Sequence, residues 1–403
     1  MRPRILIVSH GLRIGGVERS LLGLMRALPP EECELSLFLH SHDGEWVDRI
    51  PPWVRLLPAS RAYEALDRPI SRVIASRDPG IGVARLLAKA VTSLRRRAGV
   101  GGFLLPRSVR YALPFLPDVP GDYDLAIGFL APHDVVSKRV RARRRHGWVH
   151  TDYSQLETGV DLAFESRAWT ALDGIVAVSS DVARTFRDTF GLPTFAVRVI
   201  ENVLDVPLVR AEAAEFDALE EMEAAPSTLR LCSVGRFSHA KGYDVAIDAC
   251  ARLLEEGLDV KWFLVGYGSE ERSLAEQIAR RGIGDRFVIL GRRRNPYPYI
   301  ATCDVFVQPS RYEGKAVTVR EAQALGRAVV VSPYPTAASQ LEDGVDGLVA
   351  EPGADGLAAT LARLLRDRAL REAIASAAAS RDYGNSSGAR EVLDLARAAA
   401  SGS

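Results

Sequence analysis

Short apolar runs alternate with amphipathic helical stretches along this chain, and that alternation limits its fold more than any other feature. In the first half, RILIVSH (4–10), LAIGFL (125–130) and GIVAVSS (174–180) have the length and continuous apolar character of buried strands. In the second half, LRLCSVG (229–235), KWFLVG (261–266), RFVILG (286–291), DVFVQPS (304–310) and AVVVSP (328–333) repeat the theme. Helical runs such as YDVAIDACARLLEEG and EERSLAEQIARRG lie between them. A strand that is apolar on both faces needs cover on both, so the pattern predicts parallel sheets wrapped by helices, a doubly wound α/β architecture. The alternation lapses in DVPLVRAEAAEFDALEEMEAAPST (205–228), an acidic, alanine-rich stretch read as a linker. The chain's 403 residues are too many for one ordinary core, and the lapse divides them into domains at 1–204 and 229–385. Such domains bind ligands beyond the carboxyl ends of their strands, and two facing each other form a cleft.

Composition narrows the functional classes. Lysine plus arginine total 52 against 51 for aspartate plus glutamate, a formal charge of +1, which argues against a general nucleic-acid binder. Cys33, Cys232, Cys250 and Cys303 are far apart and form no CxxC pair, as expected for reduced, buried thiols in a cytoplasmic protein without a zinc site. MRPRILIVSHG reads as a short strand and not as a signal peptide, and no apolar run approaches the ~18 residues of a membrane span.

Residues 61–120 depart from the pattern, with 11 basic and 4 acidic residues. Within them VARLLAKAVTSLRRR (83–97) places Val83, Leu86, Leu87, Ala90, Val91 and Leu94 on one helical face opposite a basic one. KRVRARRR (138–145) adds charge. Two readings stand: a helix capping the core with its polar face solvated, or a surface that docks on an anionic membrane or lipid acceptor.

The segments after the strands carry the candidate chemistry. Gly15 and Gly16 precede a helical run, where paired glycines admit a ligand or simply form a tight turn. His150 and Asp152 follow a short strand, and His150 either polarises a substrate hydroxyl or is a partly buried, hydrogen-bonded histidine. Arg236 and Lys241 flank a polar loop between strand and helix, with Gly242 easing the turn; two cations there suit a diphosphate, and otherwise are solvated surface charges. Gly266 and Gly268 permit a tight turn, with Ser269 capping the next helix. In RYEGKAVTVREAQALG, Thr318 and Glu321 have capping-box spacing, which puts a helix start near residue 318. The backbone of Gly314, Lys315, Ala316 and Val317 would then offer N–H groups to a diphosphate at a positive helix end. Glu313 is placed to accept hydrogen bonds from sugar hydroxyls, and Glu321, unless it is spent on the cap, from the hydroxyls of a ribose.

EGKAVTVRE resembles the E-x7-E motif of family 4 glycosyltransferases, which have the GT-B fold. GLRIGGVERS, VGRFSHAKGYD, VGYGSEER, VILGRR, DVFVQPSRYEG and EDGVDGLVAEPG resemble the family's other elements in order, and the character is most similar to bacterial polysaccharide-, capsule- and teichoic-type members. Two sites depart from the usual pattern: Gly314-Lys315-Ala316-Val317-Thr318 stands where the family has G-F-G-x-P, and Asn202-Val203-Leu204-Asp205 where it has N-G-V-D.

The resemblance implies two Rossmann-like domains facing a central cleft, with a last helix (about 386–403) crossing back to the first domain. It implies retaining transfer of a hexosyl or N-acetylhexosaminyl group from a nucleotide-sugar, UDP-linked before GDP-linked, to a glycan, lipid-linked or small-molecule hydroxyl. No essential metal or other cofactor is implied. Arg236 and Lys241 would neutralise the leaving diphosphate, Glu313 bind the sugar and Glu321 the ribose. His150 would contact the sugar or transition state, and Gly16 would line the phosphate and acceptor side. The backbone near Gly291 and Arg292 would meet the base, and the Gly266 turn would border the donor. A nucleotide-sugar epimerase or phosphorylase, or a non-catalytic nucleotide-sugar-binding partner, are the alternatives. The expected location is cytoplasmic, with peripheral contact at the inner membrane face through 83–97 and 138–145.

Overall fold

The computed structural model describes residues 2–76, 78–99, 102–155, 161–193 and 196–402. The chain forms two compact units, residues 1–203 with 386–403, and residues 204–385. The first is built on strands β1 (Arg4–Ser9), β2 (Glu34–Leu39), β3 (Arg55–Leu56), β4 (Asp122–Gly128), β5 (Arg141–Val149), β6 (Gly174–Ala177) and β7 (Val197–Val199). They form one parallel sheet in the order β3-β2-β1-β4-β5-β6-β7. The second unit carries β8 (Leu229–Phe237), β9 (Val260–Gly268), β10 (Phe287–Gly291), β11 (Val305–Gln308), β12 (Ala328–Val331) and β13 (Leu348–Val349). These form a second parallel sheet in the order β10-β9-β8-β11-β12-β13. Both orders reverse direction beside the unit's first strand, the arrangement that opens a crevice at the strands' carboxyl ends. Each unit is a doubly wound, Rossmann-like α/β domain.

Most apolar runs become strands buried on both faces; β11 and β12 are buried at every residue. β5 is different, because its first half is RARRR. Its arginines meet carboxylates instead of apolar cover: Arg141 pairs with Asp122 at 3.4 Å, Arg143 with Asp124 at 3.5 Å, and Arg139 just before it with Asp118 at 3.3 Å. The charge expected to be offered outward from 138–145 is therefore largely matched within the chain.

Residues 205–228 belong to the second unit. The helix Val206–Ala213 is capped by Asp205, and Val209, Ala218 and Met222 are buried in that unit's core. The final helix, Ser386–Ser401, buries Ala389, Val392, Leu393, Ala396 and Ala399 in the first unit's core. All four cysteines are free and buried.

The helix Pro79–Arg97 reverses one of the two readings of its sequence. Its buried positions are Ile81, Gly82, Ala84, Ala88 and Thr92. The apolar face of Val83, Leu86, Leu87 and Leu94, which a core-capping helix would bury, is exposed.

Candidate functional site

The loop after β8 is shaped by a glycine. A one-turn 3-10 helix, His239–Lys241, ends on Gly242 at φ 63°. That left-handed conformation favours glycine, and a Cβ there would run into the Pro309 carbonyl oxygen. The helix Tyr243–Glu255 starts directly afterwards. The loop therefore lies against the segment that follows β11, and Arg311 fastens the two. Its backbone N–H donates to Ala240 O at 2.8 Å and its Nη1 to His239 O at 2.9 Å. Its guanidinium grips Asp244 bidentately, Nη1 to Oδ1 at 2.8 Å and Nη2 to Oδ2 at 2.6 Å. Burial raises the pKa of Asp244, but the Arg311 hydrogen bonds and charge outweigh it and hold the carboxyl below its usual range.

This staple brings Lys241 and Glu313 together. Lys241 Nζ donates to Glu313 Oε1 at 2.6 Å, and the same oxygen accepts from Ser310 Oγ at 2.6 Å and Gln308 Nε2 at 3.0 Å. Gln308 and Ser310 are 1% exposed, so Glu313 is aimed by buried donors on β11 and just beyond it. Thr336 Oγ1 donates to the Glu313 carbonyl at 3.1 Å. Arg236, the penultimate residue of β8, is exposed, with no hydrogen bond or ion pair among the described residues. One carboxylate and two cations thus share this edge of the second sheet, a local charge of +1.

The helix expected near residue 318 runs Val317–Ala324, and its N-cap, Ala316, makes no side-chain bond. The capping box does not form. Thr318 Oγ1 instead donates to Gln308 Oε1 at 3.1 Å, and Glu321, 2% exposed, accepts from the Tyr297 hydroxyl at 2.8 Å. β11 and the helix Tyr297–Thr302 supply the partners that these two side chains take in place of the helix end. Gly314, Lys315, Ala316 and Val317 are buried beneath the helix start, Lys315 at 6% exposure.

The expected glycine turn is not a turn. Gly266 and Gly268 sit inside β9, paired with Gly235 and Phe237 of β8. A Cβ at either would strike the β8 backbone, so both glycines serve the close approach of two strands. Ser269 caps nothing, since the helix Glu271–Arg281 has Glu270 at its N-cap. Tyr267, between the glycines, pairs with Arg236 and lies 4.4 Å beneath the Arg292 guanidinium. Gly291 ends β10 at φ 77°, with open space where a Cβ would point. Arg236, Tyr267, Gly291 and Arg292 therefore line up across the ends of β8, β9 and β10.

In the first unit, Gly15 is the extended N-cap of the helix Gly16–Ala27, and a Cβ on Gly16 would meet nothing within 4 Å. Neither conformation nor packing inside the chain demands glycine at Gly16. Glu18 occupies the first turn of that helix, close to Gly15, so the helix end expected to face an anion is already faced by a carboxylate. His150 follows β5, half-buried against Phe129 with ring centroids 4.7 Å apart. Burial lowers its pKa to about 4, with the Phe129 backbone opposing, so the ring is neutral at pH 7. Its buried Nε2 has no hydrogen-bond partner among the described residues. Asp152 accepts from the N–H and Oγ of Ser154 at 3.0 and 2.7 Å and is a turn residue.

Gln308, Ser310, Arg311, Asp244, Tyr297 and Tyr267 escaped the sequence reading. A polar pair ending an apolar strand, Gln308 and Ser310 in DVFVQPS, was the available signal; the others are partners across elements distant in sequence.

Residues 219–381 match the family described as Glycosyl transferases group 1. The chain is 32% identical over 149 residues to the alpha-D-kanosaminyltransferase of Streptomyces kanamyceticus, covering 36% of this chain and 39% of that protein. It is 32% identical over 175 residues to the amylovoran biosynthesis glycosyltransferase AmsK of Erwinia amylovora, covering 41% and 43%. Each match thus spans less than half the length of that relative. The crystal structure of the Anabaena protein Alr3699/HepE with UDP and glucose is similar with a TM-score of 0.70 and 19% identity, over 98% of this chain and 100% of that one. The fold is that of the GT-B glycosyltransferases, and the matched segment lies in the second unit.

Proposed function

We propose that this chain is a retaining glycosyltransferase. It takes a hexosyl or N-acetylhexosaminyl group from a nucleotide-sugar, UDP-linked in the first instance, and passes it to a hydroxyl of a glycan or lipid-linked acceptor. The observation that carries the reading is the Lys241–Glu313 pair, held by Gln308 and Ser310 and set at the strand ends that also bear Arg236. A sugar diphosphate needs a hydrogen-bond acceptor for the sugar's hydroxyls and positive charge for the phosphates, and this edge offers both.

As the bond from anomeric carbon to phosphate oxygen breaks, charge grows on the β-phosphate. Arg236 and Lys241 meet it, doing what a metal ion does elsewhere. The released phosphate oxygen takes the acceptor's proton while the acceptor oxygen bonds the anomeric carbon on the same face, so no carboxylate acts as nucleophile. Glu313 orients the sugar and Arg292 over Tyr267 borders the base; Glu321 takes the ribose hydroxyls only by giving up the Tyr297 bond that occupies it. His150, neutral at pH 7, acts through Nε2 as a hydrogen-bonding group and not as a cation. The match to an amylovoran biosynthesis glycosyltransferase supports this class of reaction.

Thermal-shift screening against UDP, GDP, TDP and ADP identifies the base, since a ligand at a hundred times its Kd stabilises by about 2.7 kcal/mol. Turnover of the matching sugar donor is then followed with EDTA present. Lys241→Met is expected to cost roughly 2–4 kcal/mol of transition-state stabilisation. Failure of every nucleoside diphosphate to bind ends the proposal, and isomerised donor in place of a transfer product turns it toward an epimerase.

A further inference from the structure

Eight of the twelve exposed large apolar residues among those described fall between Ile74 and Phe115. Four are on the helix Pro79–Arg97, where Val83, Leu86, Leu87 and Leu94 are 49%, 51%, 55% and 62% exposed. The helix packs through a stripe of smaller side chains instead, Gly82, Ala84, Ala88 and Thr92 with Ile81, against the helices Ile70–Ile74 and Leu104–Ala112. Positions 83, 87, 90 and 94 recur at near-helical spacing, so the exposed residues form one continuous apolar stripe on the side away from that packing. Leu104 and Leu105, each 38% exposed, open the neighbouring helix. Monomeric proteins seldom leave so many large apolar side chains together in water without a use for them.

The charge on the helix itself has one sign. The helix has no acidic residue, and Lys89 and Arg97 are exposed without an ion pair or hydrogen bond among the described residues. Other cations of the segment are tied down: Arg85 Nη1 donates to the carbonyls of Ala65 and Arg68, and Arg95 is paired with Asp161 at 2.9 Å. The arginines at 139, 141 and 143 already face aspartates, so they add nothing to this surface.

We propose that this face of the helix Pro79–Arg97 lies in the interface of an anionic lipid bilayer. Val83, Leu86, Leu87 and Leu94 enter the boundary between headgroups and acyl chains, and Lys89 and Arg97 meet lipid phosphates. Charge selects the bilayer over a second copy of the chain, because two such faces pressed together would oppose Lys89 and Arg97 with no carboxylate between them. No helix among the described residues is long and apolar enough to cross a membrane, so the contact is interfacial. The inference does not depend on the transfer reaction, since vesicle binding needs no sugar donor.

Co-sedimentation of the full chain with phosphatidylcholine vesicles, with and without phosphatidylglycerol, tests it. Binding is expected with the anionic lipid and is expected to fall as the Debye length shrinks toward ~3 Å near 1 M salt. Leu87→Asp with Leu94→Asp is expected to lower partitioning at least tenfold, and Lys89→Glu with Arg97→Glu to lower it roughly fivefold per charge. Circular dichroism and nucleotide-induced thermal shift, unchanged in the variants, separate lost docking from lost folding. Absence of vesicle binding by the parent chain, or equal binding by the leucine variant, overturns the proposal. A concentration-dependent dimer that the leucine variant abolishes overturns it in favour of self-association.

Discussion

Replacing Arg311 with alanine isolates the device that joins Lys241 to Glu313. Arg311 is not expected to touch a ligand; its side chain makes two bonds to Asp244 and one to the His239 carbonyl. The two charged side chains are 30% and 42% exposed, so solvent screens them. Bidentate geometry sets the pair near the top of the surface range, about 1 kcal/mol. The bond to the carbonyl adds about 1 kcal/mol at most. The expected destabilisation is therefore only about 1–2 kcal/mol, a fall in Tm of roughly 2–8 °C for a unit of this size. The functional loss should be larger. Freed from its staple, the His239–Lys241 turn no longer fixes Lys241 beside Glu313, and a displacement of ~1 Å in such a site costs up to ~100-fold. Calorimetric affinity for UDP and kcat/KM with the donor found by screening should both drop. Arg311→Lys should rescue little, because an ammonium cannot reproduce the fork. Asp244→Asn combined with Arg311→Ala should be markedly non-additive. Twofold or smaller changes in affinity and kcat/KM, with the stability loss as calculated, would refute the idea that the staple serves the site.

Gly242→Ala combines an unfavourable φ of 63° with a backbone clash at Pro309, so a loss of at least ~2 kcal/mol is expected; an unchanged urea midpoint would contradict it. Leu393→Ala in the last helix, fully packed in the first unit's core, should cost about 2–5 kcal/mol, and truncation before Ser386 should destabilise that unit outright while the second still binds nucleotide. Stability should decline as pH falls from 6.5 toward 4. Burial holds His133 near 3, His146 near 4 and His150 near 4, and lowers His10 and His40, so the unfolded chain takes up protons that the folded one refuses, about 1.4 kcal/mol per pH unit for each fully titrating histidine. Glu165, raised to about 7 by burial, works the other way, its stabilisation present at low pH and lost as pH rises through 7, but it is one group against five. A melting temperature that is flat between pH 7 and 5 would refute this.

Pattern alone carried the architecture a long way. Strands β1, β4, β6 and β8 to β12 were legible because a strand covered on both faces must be apolar throughout, and that requirement is local. Only the end of β5, before His150, was legible, because the arginines of its first half look like a surface run until Asp122 and Asp124 of β4 lie beside them in register. The two glutamates and two cations of the candidate site were legible as residue types after strands. Their arrangement was not: the bond between Lys241 and Glu313 spans 72 positions and depends on Arg311 and Gly242 pressing two loops together.

Local spacing also misled where a tertiary partner competed. Thr318 and Glu321 have the spacing of a cap, yet Gln308 and Tyr297 claim them, and Gly266 and Gly268 look like a turn while they lie in a paired strand. The sequence by itself determined most of the strands and helices and which chemistry the loops carry, since both follow largely from near neighbours along the chain. Only the tertiary structure decided which carboxylate meets which cation, and which face of the helix Pro79–Arg97 is left to solvent. Those outcomes turn on side chains from distant segments competing for the same space, a contest that periodicity does not record.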